Sequence, residues 1–385
     1  MKSKWGSRIP ELDGIRAIAI WMVLLVHFLV FQSHGHPSLP FLPHPVLVIL
    51  GHGWLGVDLF FLLSGFLITG ILLDTKERPF YFKNFYIRRF LRIMPLYFAV
   101  VMVWSLAYRG YGRYFLLSSV FGANLAPLLH IRAPHGPDVL WSLAVEEHFY
   151  LLWPAIVYFL DRRKVLILCA SLFVGCPILR GIFAAHGMNP QVIYVLSWFR
   201  LDGLAAGAAL AIWVRSAFFT RRGAHILAGI LLGSLCVISV AGAPFALFAN
   251  ASPLAVALRY TQAYLFFGTF FILTLTYLDT KWTAALRSPF LQLSGALSYC
   301  LYLVHFSVAD LFQFLYTHQQ AFQLSETAVV LVRGTFMIIV TFAIAMLSRK
   351  YFEEPFLALK DRFTSQRLPE KPTVLALPEQ ERISA

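Results

Sequence analysis

The stretch LDGIRAIAIWMVLLVHFLV, residues 12–30, decides the fold of this 385-residue chain. It is apolar and long enough to cross a bilayer as a helix, yet it contains Arg16 and His27. These two residues are eleven positions apart, and at about 100° per residue that spacing returns both side chains to one helix face, roughly 16 Å apart along the axis. Because lipid solvates neither side chain, ionisable groups in a membrane helix usually face a protein interior or a water-filled pathway. The stretch therefore predicts a membrane helix with a polar path beside it.

The composition excludes a water-soluble globule. Hydrophobic residues make up 59% of the chain and charged residues 13%, phenylalanine occurs 36 times, and the mean hydropathy is +0.69. This composition predicts an all-α polytopic membrane protein with about ten transmembrane helices around a polar cavity. The apolar windows fall near residues 13–32, 52–73, 93–110, 139–160, 164–184, 193–214, 225–243, 256–277, 290–316 and 329–351.

The interrupted apolar stretch near residues 113–130 is interpreted differently. Asn124 and Pro127 break it, so it is expected to form a re-entrant or interfacial part of an outer loop. An eleventh span there would invert the orientation of every later helix.

The net charge of +13 would suggest nucleic acid in a soluble protein, but here the distribution of charge over the loops is more informative. Lysine and arginine concentrate in alternate loops, and the loops between them retain only Arg109, Arg113 and Arg132. By the positive-inside rule this pattern predicts that both termini are cytoplasmic. Lipids are thus the expected surroundings, and no nucleic-acid partner is expected.

The ends and the cysteines complete the expected organisation. Residues 1–356 are expected to form the transmembrane domain, with the first apolar stretch a retained anchor, and the polar residues 357–385 are expected to form a disordered cytoplasmic tail. The four cysteines fall in predicted spans, where they behave as small apolar residues, so no metal or disulfide framework is expected.

His27 is the first candidate catalytic residue. It lies in the outer half of the predicted span, where it is either a general base or a structural histidine bonded to a neighbouring helix. Asp58, in GVDLFFLLSGFLI (56–68), could orient such a histidine, or it could be a first-turn acid favoured by the helix dipole. Ser64 is a candidate for the lining of the cavity, although Ser64-Gly65 also fits a small-residue packing seam.

The arginines of RRFLRIMP (88–95) are the candidate donor-binding group. Arg88 and Arg92 are one helical turn apart, as are Arg89 and Arg92, and guanidinium groups at this spacing suit bidentate phosphate recognition, as a nucleotide-bearing acyl donor would require. Positive-inside anchoring explains any single one of them without a binding role.

The motif LWSLAVEEHFYLLWP (140–154) places two adjacent acids in a predicted span. Glu146 shares a helix face with Ser142 and Tyr150, whereas Glu147 projects about 100° away. One acid is expected to meet the polar interior and the other interfacial water, and the sequence leaves open which. Both could instead lie among lipid headgroups.

Later motifs add further candidates for the lining of the cavity. Arg200 and Asp202 in RLDGL are not on one face, so an ion pair between them is not expected. In SYCLYLVHF (298–306), Tyr299, Tyr302 and His305 follow one another at intervals of three and form a stripe that is either functional or structural.

Taken in order, these motifs resemble the membrane acyltransferase-3 family, whose members are integral-membrane O-acyltransferases of surface sugars, peptidoglycan and antibiotics. The resemblance covers residues 9–356 and rests on LDGIRAIAI with His27, GVDLFFLLSGFLI, RRFLRIMP, LWSLAVEEHFYLLWP, RLDGL, and SYCLYLVHF followed by YFEEPF. It implies transfer of an acyl group, usually acetyl from acetyl-coenzyme A, to a hydroxyl at the outer face of a bacterial inner membrane.

The resemblance also implies residue roles. His27 matches the proposed catalytic histidine of the family, Arg16 its partner on the same helix, Arg89 with Arg92 the donor-side motif, and Glu147 or Glu146 the acid of the fourth motif. Catalytic roles are thus expected for His27, Glu147, Glu146 and Asp58, and donor binding for Arg16, Arg88, Arg89 and Arg92. The expected cavity lining comprises Ser64, Trp141, Ser142, Tyr150, Arg200, Asp202, Tyr299, Tyr302 and His305.

The expected substrates are acyl-CoA as a transient donor and a lipid-linked or surface glycan as acceptor, with no permanently bound cofactor. Some relatives carry an additional soluble domain that completes the transfer, so a separate periplasmic transferase is a candidate partner, and the sequence leaves open whether one is needed. The rival hypothesis is a lipid-linked sugar flippase or transporter, which would also need a polar path through about ten helices, although the chain shows no internal repeat of the kind many transporters contain.

Overall fold

The structure is a computed structural model that describes residues 9–30, 42–242, 252–318 and 326–363. These residues form a bundle of α-helices. The helices are α1 (Pro10–Leu25), α2 (His44–Gly51), α3 (Gly56–Thr75), α4 (Tyr81–Ala107), α5 (Gly112–Ser119), α6 (Leu140–Phe159), α7 (Arg162–Ala185), α8 (Pro190–Val195), α9 (Leu201–Trp213), α10 (Arg221–Gly242), α11 (Pro253–Thr276), α12 (Pro289–His318), α13 (Glu326–Ser348) and α14 (Glu354–Phe363).

The all-α membrane architecture predicted from the sequence is confirmed. Within the described ranges, eight helical segments are long and apolar enough to cross a bilayer. Two further predicted windows correspond to α6, which carries Glu146 and Glu147, and to α9, which has only 13 residues. The orientation of the bundle stays a prediction.

Local sequence signals account for several helix starts. Proline occupies the first turn of α1, α8 and α11, where its missing N–H leaves no hydrogen bond unmade. The side chains of Asp161 and Ser252 cap α7 and α11 by accepting from the backbone N–H groups of Lys164 and Ala255.

The helix that carries the arginine motif begins earlier than the apolar window near residues 93–110, and the residues before that window are helical. Helix α4 begins at Tyr81 and continues through Pro95, so Arg88, Arg89 and Arg92 all lie on the helix. A proline inside a membrane helix is tolerated where neighbouring groups satisfy the freed backbone carbonyls. The stretch predicted to be re-entrant contains the short helix α5 and a 3₁₀ turn at Ala123–Leu125, both too short to span a bilayer.

Helix α1 packs against both α3 and α12. Helix α3 packs on α9 through glycines, since a Cβ on Gly65 would lie 1.9 Å from the Leu204 carbonyl oxygen and one on Gly207 would lie 1.9 Å from that of Leu62. The packing seam predicted for Ser64-Gly65 therefore involves Gly65, which leaves Ser64 facing the interior of the bundle.

The C-terminal boundary lies later than expected. After α13, a π-helical segment at Arg349–Glu353 leads into α14, which continues to Phe363, beyond the tail boundary expected at residue 357. The remaining residues of the predicted tail, 364–385, lie outside the described residues.

Candidate active site

Two cavities lie beside α1 at different depths. The first, the histidine cavity, has a volume of about 530 Å³ and is lined by His27, Trp54, Val57, His135, Asp138, Val139, Trp141, Pro190, Gln191, Tyr194, Val256, Arg259, Tyr260, Tyr302 and Phe306. The second, the arginine cavity, has a volume of about 110 Å³ and is lined by Arg16, Val57, Phe60, Phe61, Ser64, Arg89, Arg92, Ile93, Ser142, Leu143, Glu146, Glu147, Tyr150, Ser298, Tyr299 and Tyr302.

His27 lies in a π-helical segment, Val26–Val30, that continues α1. Such segments are uncommon and occur frequently at functional sites. The His27 ring packs 4.4 Å from the Phe306 ring centroid, and its Nδ1 lies 3.2 Å from Nε2 of His305. The imidazole therefore faces the bundle interior and lines a cavity.

Three arginines gather at the arginine cavity. Arg16, on α1, forms an ion pair of 2.8 Å with Asp13, while Arg89 and Arg92 reach the same cavity from α4. The Arg89 guanidinium stacks 4.7 Å from the Tyr150 ring centroid. The cavity therefore brings together positively charged side chains from α1 and α4, which are distant in sequence.

Glu146, an acid with two hydroxyl neighbours, also lines the arginine cavity. Ser64 Oγ donates to Glu146 Oε1 across 2.8 Å, and the Tyr150 hydroxyl lies 3.0 Å from Glu146 Oε2. Glu147 lines the same cavity and also a neighbouring groove of about 590 Å³, whose walls are otherwise mostly apolar and which shares Arg89 and Tyr150 with the cavity. Both acids of the motif therefore face the bundle interior, although the sequence predicted that one of them would reach interfacial water.

Val57 and Tyr302 line both cavities. The Tyr302 hydroxyl and Ser142 Oγ lie 2.6 Å apart, which joins α12 to α6 at this wall. Tyr299 donates to the Ile93 carbonyl across 3.0 Å. The sequence predicted one continuous crevice, whereas the structure has two cavities that meet at Val57 and Tyr302.

Four of the predicted site residues, Asp58, Arg200, Asp202 and His305, lie outside the lining of both cavities. Asp58 does not orient a histidine, because its carboxylate pairs with Arg200 across 2.6 Å, and Asp202 pairs with Arg180 across 2.7 Å. Arg200 and Asp202 are fully buried in these pairs, His305 is fully buried beside His27, and none of the three belongs to the cavity lining in which the sequence placed them. Buried charges require partners of opposite sign, which explains why all four charged side chains form ion pairs.

The four arginines predicted to bind the acyl donor do not all lie in one place. Arg88 is exposed and does not belong to the lining of the arginine cavity, although it shares α4 with Arg89 and Arg92. Of the three arginines in the motif, the structure brings two into the cavity.

Sequence reasoning missed a second polar group at the histidine cavity. His135 Nδ1 lies 2.8 Å from Asp310 Oδ1, and the Tyr108 hydroxyl donates to the other oxygen of Asp310. The hydrogen bond to Asp310 raises the pKa of His135, and burial raises the pKa of Asp138, which lines the cavity beside it. The signal available in the sequence was HGPD, residues 135–138, immediately before the LWS motif.

Aromatic rings form much of the remaining wall of the histidine cavity. Trp141 packs 4.6 Å from the Tyr194 ring centroid, and Trp54 approaches Tyr260 edge-on at 6.0 Å. Within the described ranges, no group of three or more histidine, cysteine or acidic side chains is placed to hold a metal ion. The polar groups that line the two cavities include imidazoles, hydroxyls, carboxylates and guanidiniums.

Comparison with known proteins gives one consistent result. The family described as "Acyltransferase domain" matches residues 9–349. A peptidoglycan O-acetyltransferase OatA of Listeria monocytogenes is 30% identical over 229 residues, covering 53% of this chain and 34% of the relative.

Two further relatives carry similar names. A putative peptidoglycan O-acetyltransferase YrhL of Bacillus subtilis is 29% identical over 237 residues, covering 55% of this chain and 34% of the relative. A putative O-acetyltransferase of Staphylococcus aureus is 26% identical over 346 residues, covering 81% of this chain and 52% of the relative. The chain thus spans about a third to a half of the length of these relatives, and no solved structure matches it.

Proposed function

The chain belongs to the acyltransferase-3 family, and from that membership we propose that it is a membrane O-acyltransferase. It moves an acyl group from cytoplasmic acyl-CoA, with acetyl-CoA as the expected donor, to a hydroxyl of a lipid-linked or surface glycan at the outer face of the bacterial inner membrane.

One observation carries this proposal: Arg16 and His27, on one helix, line two cavities that share a wall. The arginine cavity offers three guanidinium groups, and the histidine cavity offers an imidazole among aromatic rings. Their separation of roughly 16 Å along α1 is comparable with the length of an extended pantetheine arm. Phosphates held by the arginines would therefore leave the thioester near the wall formed by Val57 and Tyr302.

Arg16, Arg89 and Arg92 bind the donor in this scheme. Guanidinium groups suit phosphate because their paired N–H donors match its oxygens. Their cavity is partly surrounded by protein, so each charge pair is screened less than it would be in open water.

His27 acts as the general base in the transfer step. Its imidazole accepts the proton of the acceptor hydroxyl while the hydroxyl oxygen attacks the thioester carbonyl carbon. A C–O bond forms, the C–S bond breaks, and the proton passes from His27 to the departing thiolate. The products are an O-acyl ester and free coenzyme A, and His27 is regenerated.

Reconstitution into sealed vesicles tests the proposal. With labelled acetyl-CoA outside and peptidoglycan fragments inside, wild-type protein should deposit label on the fragments, and His27→Ala should not. His186→Ala is the matched control, because His186 is exposed and its ring bonds to the Ile182 carbonyl one turn earlier in the chain.

Three outcomes would contradict the proposal. Full labelling by a folded His27→Ala protein would remove the general base. Movement of an unmodified lipid-linked glycan across the membrane, with no transfer of label, would instead support the flippase. Labelling that appears only after a soluble periplasmic transferase is added would place the final transfer on that partner.

A further inference from the structure

The pair of rings formed by His27 and His305 carries an inference that rests on the proposed function. His305 is fully buried on α12, 278 positions from His27 in sequence, and the sequence left its stripe as either functional or structural. The hydrogen bonds around the two rings fix where their protons lie.

The first step concerns His305 itself. Its Nδ1 lies 2.6 Å from the carbonyl oxygen of Tyr302, one turn earlier on the same helix. A carbonyl oxygen can only accept, so Nδ1 of His305 must carry a hydrogen. In a neutral ring the other nitrogen, Nε2, is then an acceptor.

The protonation of His305 determines which nitrogen of His27 carries the hydrogen. Its Nδ1 lies 3.2 Å from Nε2 of His305, and if both rings are neutral one of these nitrogens must donate. Because Nε2 of His305 is the acceptor, Nδ1 of His27 is the donor. The backbone of Val23 also accepts a hydrogen bond from His27, and with Nδ1 as its donor this acceptor and Nε2 of His305 share one proton.

Burial supports the neutral state of the pair. A protonated His305 would be a charge with no exposed surface, and its Nδ1 and Nε2 face a carbonyl and a second imidazole. An isolated buried charge of this kind is strongly disfavoured without a carboxylate partner.

We propose that His305 is a positioning residue that holds His27 in the Nδ1–H tautomer and so keeps Nε2 of His27 as the basic nitrogen. In hydrolases with a catalytic triad, a carboxylate fixes the tautomer of the histidine in the same way. Here the group that orients the base is a neutral imidazole, and Phe306, packed 4.4 Å from the His27 ring and 4.6 Å from the His305 ring, keeps the two rings together.

The kinetic test compares His305→Leu with His305→Asn. Leucine offers His27 no acceptor, so kcat should fall about tenfold to a hundredfold with little change in KM for acetyl-CoA. The asparagine amide offers both an acceptor and a donor, so His305→Asn should recover a substantial part of that loss. Both variants should give folded protein by size exclusion and thermal unfolding, and His186→Leu is the control.

A second measurement needs no acceptor substrate. In ¹⁵N-histidine-labelled protein in liposomes, magic-angle NMR distinguishes protonated from unprotonated ring nitrogens, and the His27 signals are identified by their loss in His27→Gln. Wild type should show Nδ1 protonated and Nε2 unprotonated, and His305→Leu should show a mixture of tautomers.

The possible outcomes separate this inference from the proposed function. If His27→Ala is inactive but His305→Leu keeps full kcat, or if His305→Asn is as impaired as His305→Leu, the positioning role is wrong and the general base stands. An Nε2–H tautomer or a charged His27 in the wild-type spectrum would also overturn it. If a folded His27→Ala protein is active, the proposed function fails first.

Discussion

Arg200 donates to Asp58 across 2.6 Å, and neither side chain has any exposed surface. This ion pair joins the start of α9 to the first turn of α3, and the Arg200 guanidinium also lies 3.9 Å from the Tyr260 ring centroid and 5.0 Å from that of Tyr194. Both tyrosines line the histidine cavity, so the ion pair stabilises the wall of that cavity through Arg200. The pair therefore connects the cavity wall to α3 and α9.

Removal of one partner of this pair should be strongly destabilising. Asp58→Ala leaves the Arg200 guanidinium buried without its carboxylate, and breaking a buried pair in this way typically costs about 3–5 kcal/mol. We expect a large fall in the thermal unfolding temperature of the detergent-solubilised protein.

An exposed pair provides the control. Lys164 and Asp161 lie 3.3 Å apart with 67% and 57% of their side chains exposed, so Lys164→Ala should cost less than about 1 kcal/mol. Equal stability of the Asp58→Ala and Lys164→Ala proteins would show that Arg200 finds water or another partner.

The glycine seam between α3 and α9 gives a second prediction. Gly207→Ala would place a Cβ 1.9 Å from the Leu62 carbonyl oxygen, so the two helices must separate, at a typical cost of about 1–3 kcal/mol. Gly229→Ala on α10 is the matched control, because no atom lies within 4 Å of the position that its Cβ would occupy and alanine favours helix more than glycine does. The thermal unfolding temperature of Gly207→Ala should be well below that of Gly229→Ala. The reverse order would show that α3 and α9 do not pack closely at Gly207.

The hydrogen bond between His135 and Asp310 predicts a pH-dependent contribution to stability. It raises the pKa of His135 above its ordinary value of about 6.5, so the stabilisation is complete below that pH and is lost as the pH rises through the raised value. The His135 side chain is 64% exposed, and the contribution should therefore stay below about 1 kcal/mol.

Thermal unfolding of wild type and Asp310→Asn between about pH 5 and pH 9 measures this contribution. The difference between the two proteins should be largest at the acidic end and should shrink toward the basic end. Tyr108→Phe removes the other partner of Asp310 and should leave that pH dependence in place. A difference independent of pH would mean that His135 does not titrate against Asp310.

The sequence predicted well what a single helix determines. Helical periodicity placed Arg16 and His27 toward the same interior, and the apolar windows located the long helices, because both depend on local geometry. It also predicted that Arg200 and Asp202 would not pair with each other, since residues two apart point in different directions.

The partners across the bundle could not be predicted in this way. Asp58 meets Arg200 from 142 positions away and His27 meets His305 from 278 away, and helix periodicity gives no information about which faces meet. The sequence also predicts a span near residues 93–110, yet α4 begins at Tyr81 and passes through Pro95, because a proline inside a bundle can be accommodated by its neighbours.

The arginine cavity leads to a last prediction, on donor binding. Arg89 lines this cavity and stacks on Tyr150, whereas Arg88 on the same helix is exposed and outside the lining. Both residues satisfy the positive-inside rule equally, so a comparison of their alanine variants separates anchoring from binding. If Arg89 holds a donor phosphate, Arg89→Ala should raise KM for acetyl-CoA about tenfold or more and weaken its dependence on salt, because a charge-assisted hydrogen bond contributes about 1.5–3 kcal/mol. Arg89→Lys should recover only part of this, since an ammonium lacks the paired donors of the guanidinium. Arg88→Ala should leave KM near the wild-type value, and an equal effect of both alanine variants would assign the motif to membrane anchoring instead.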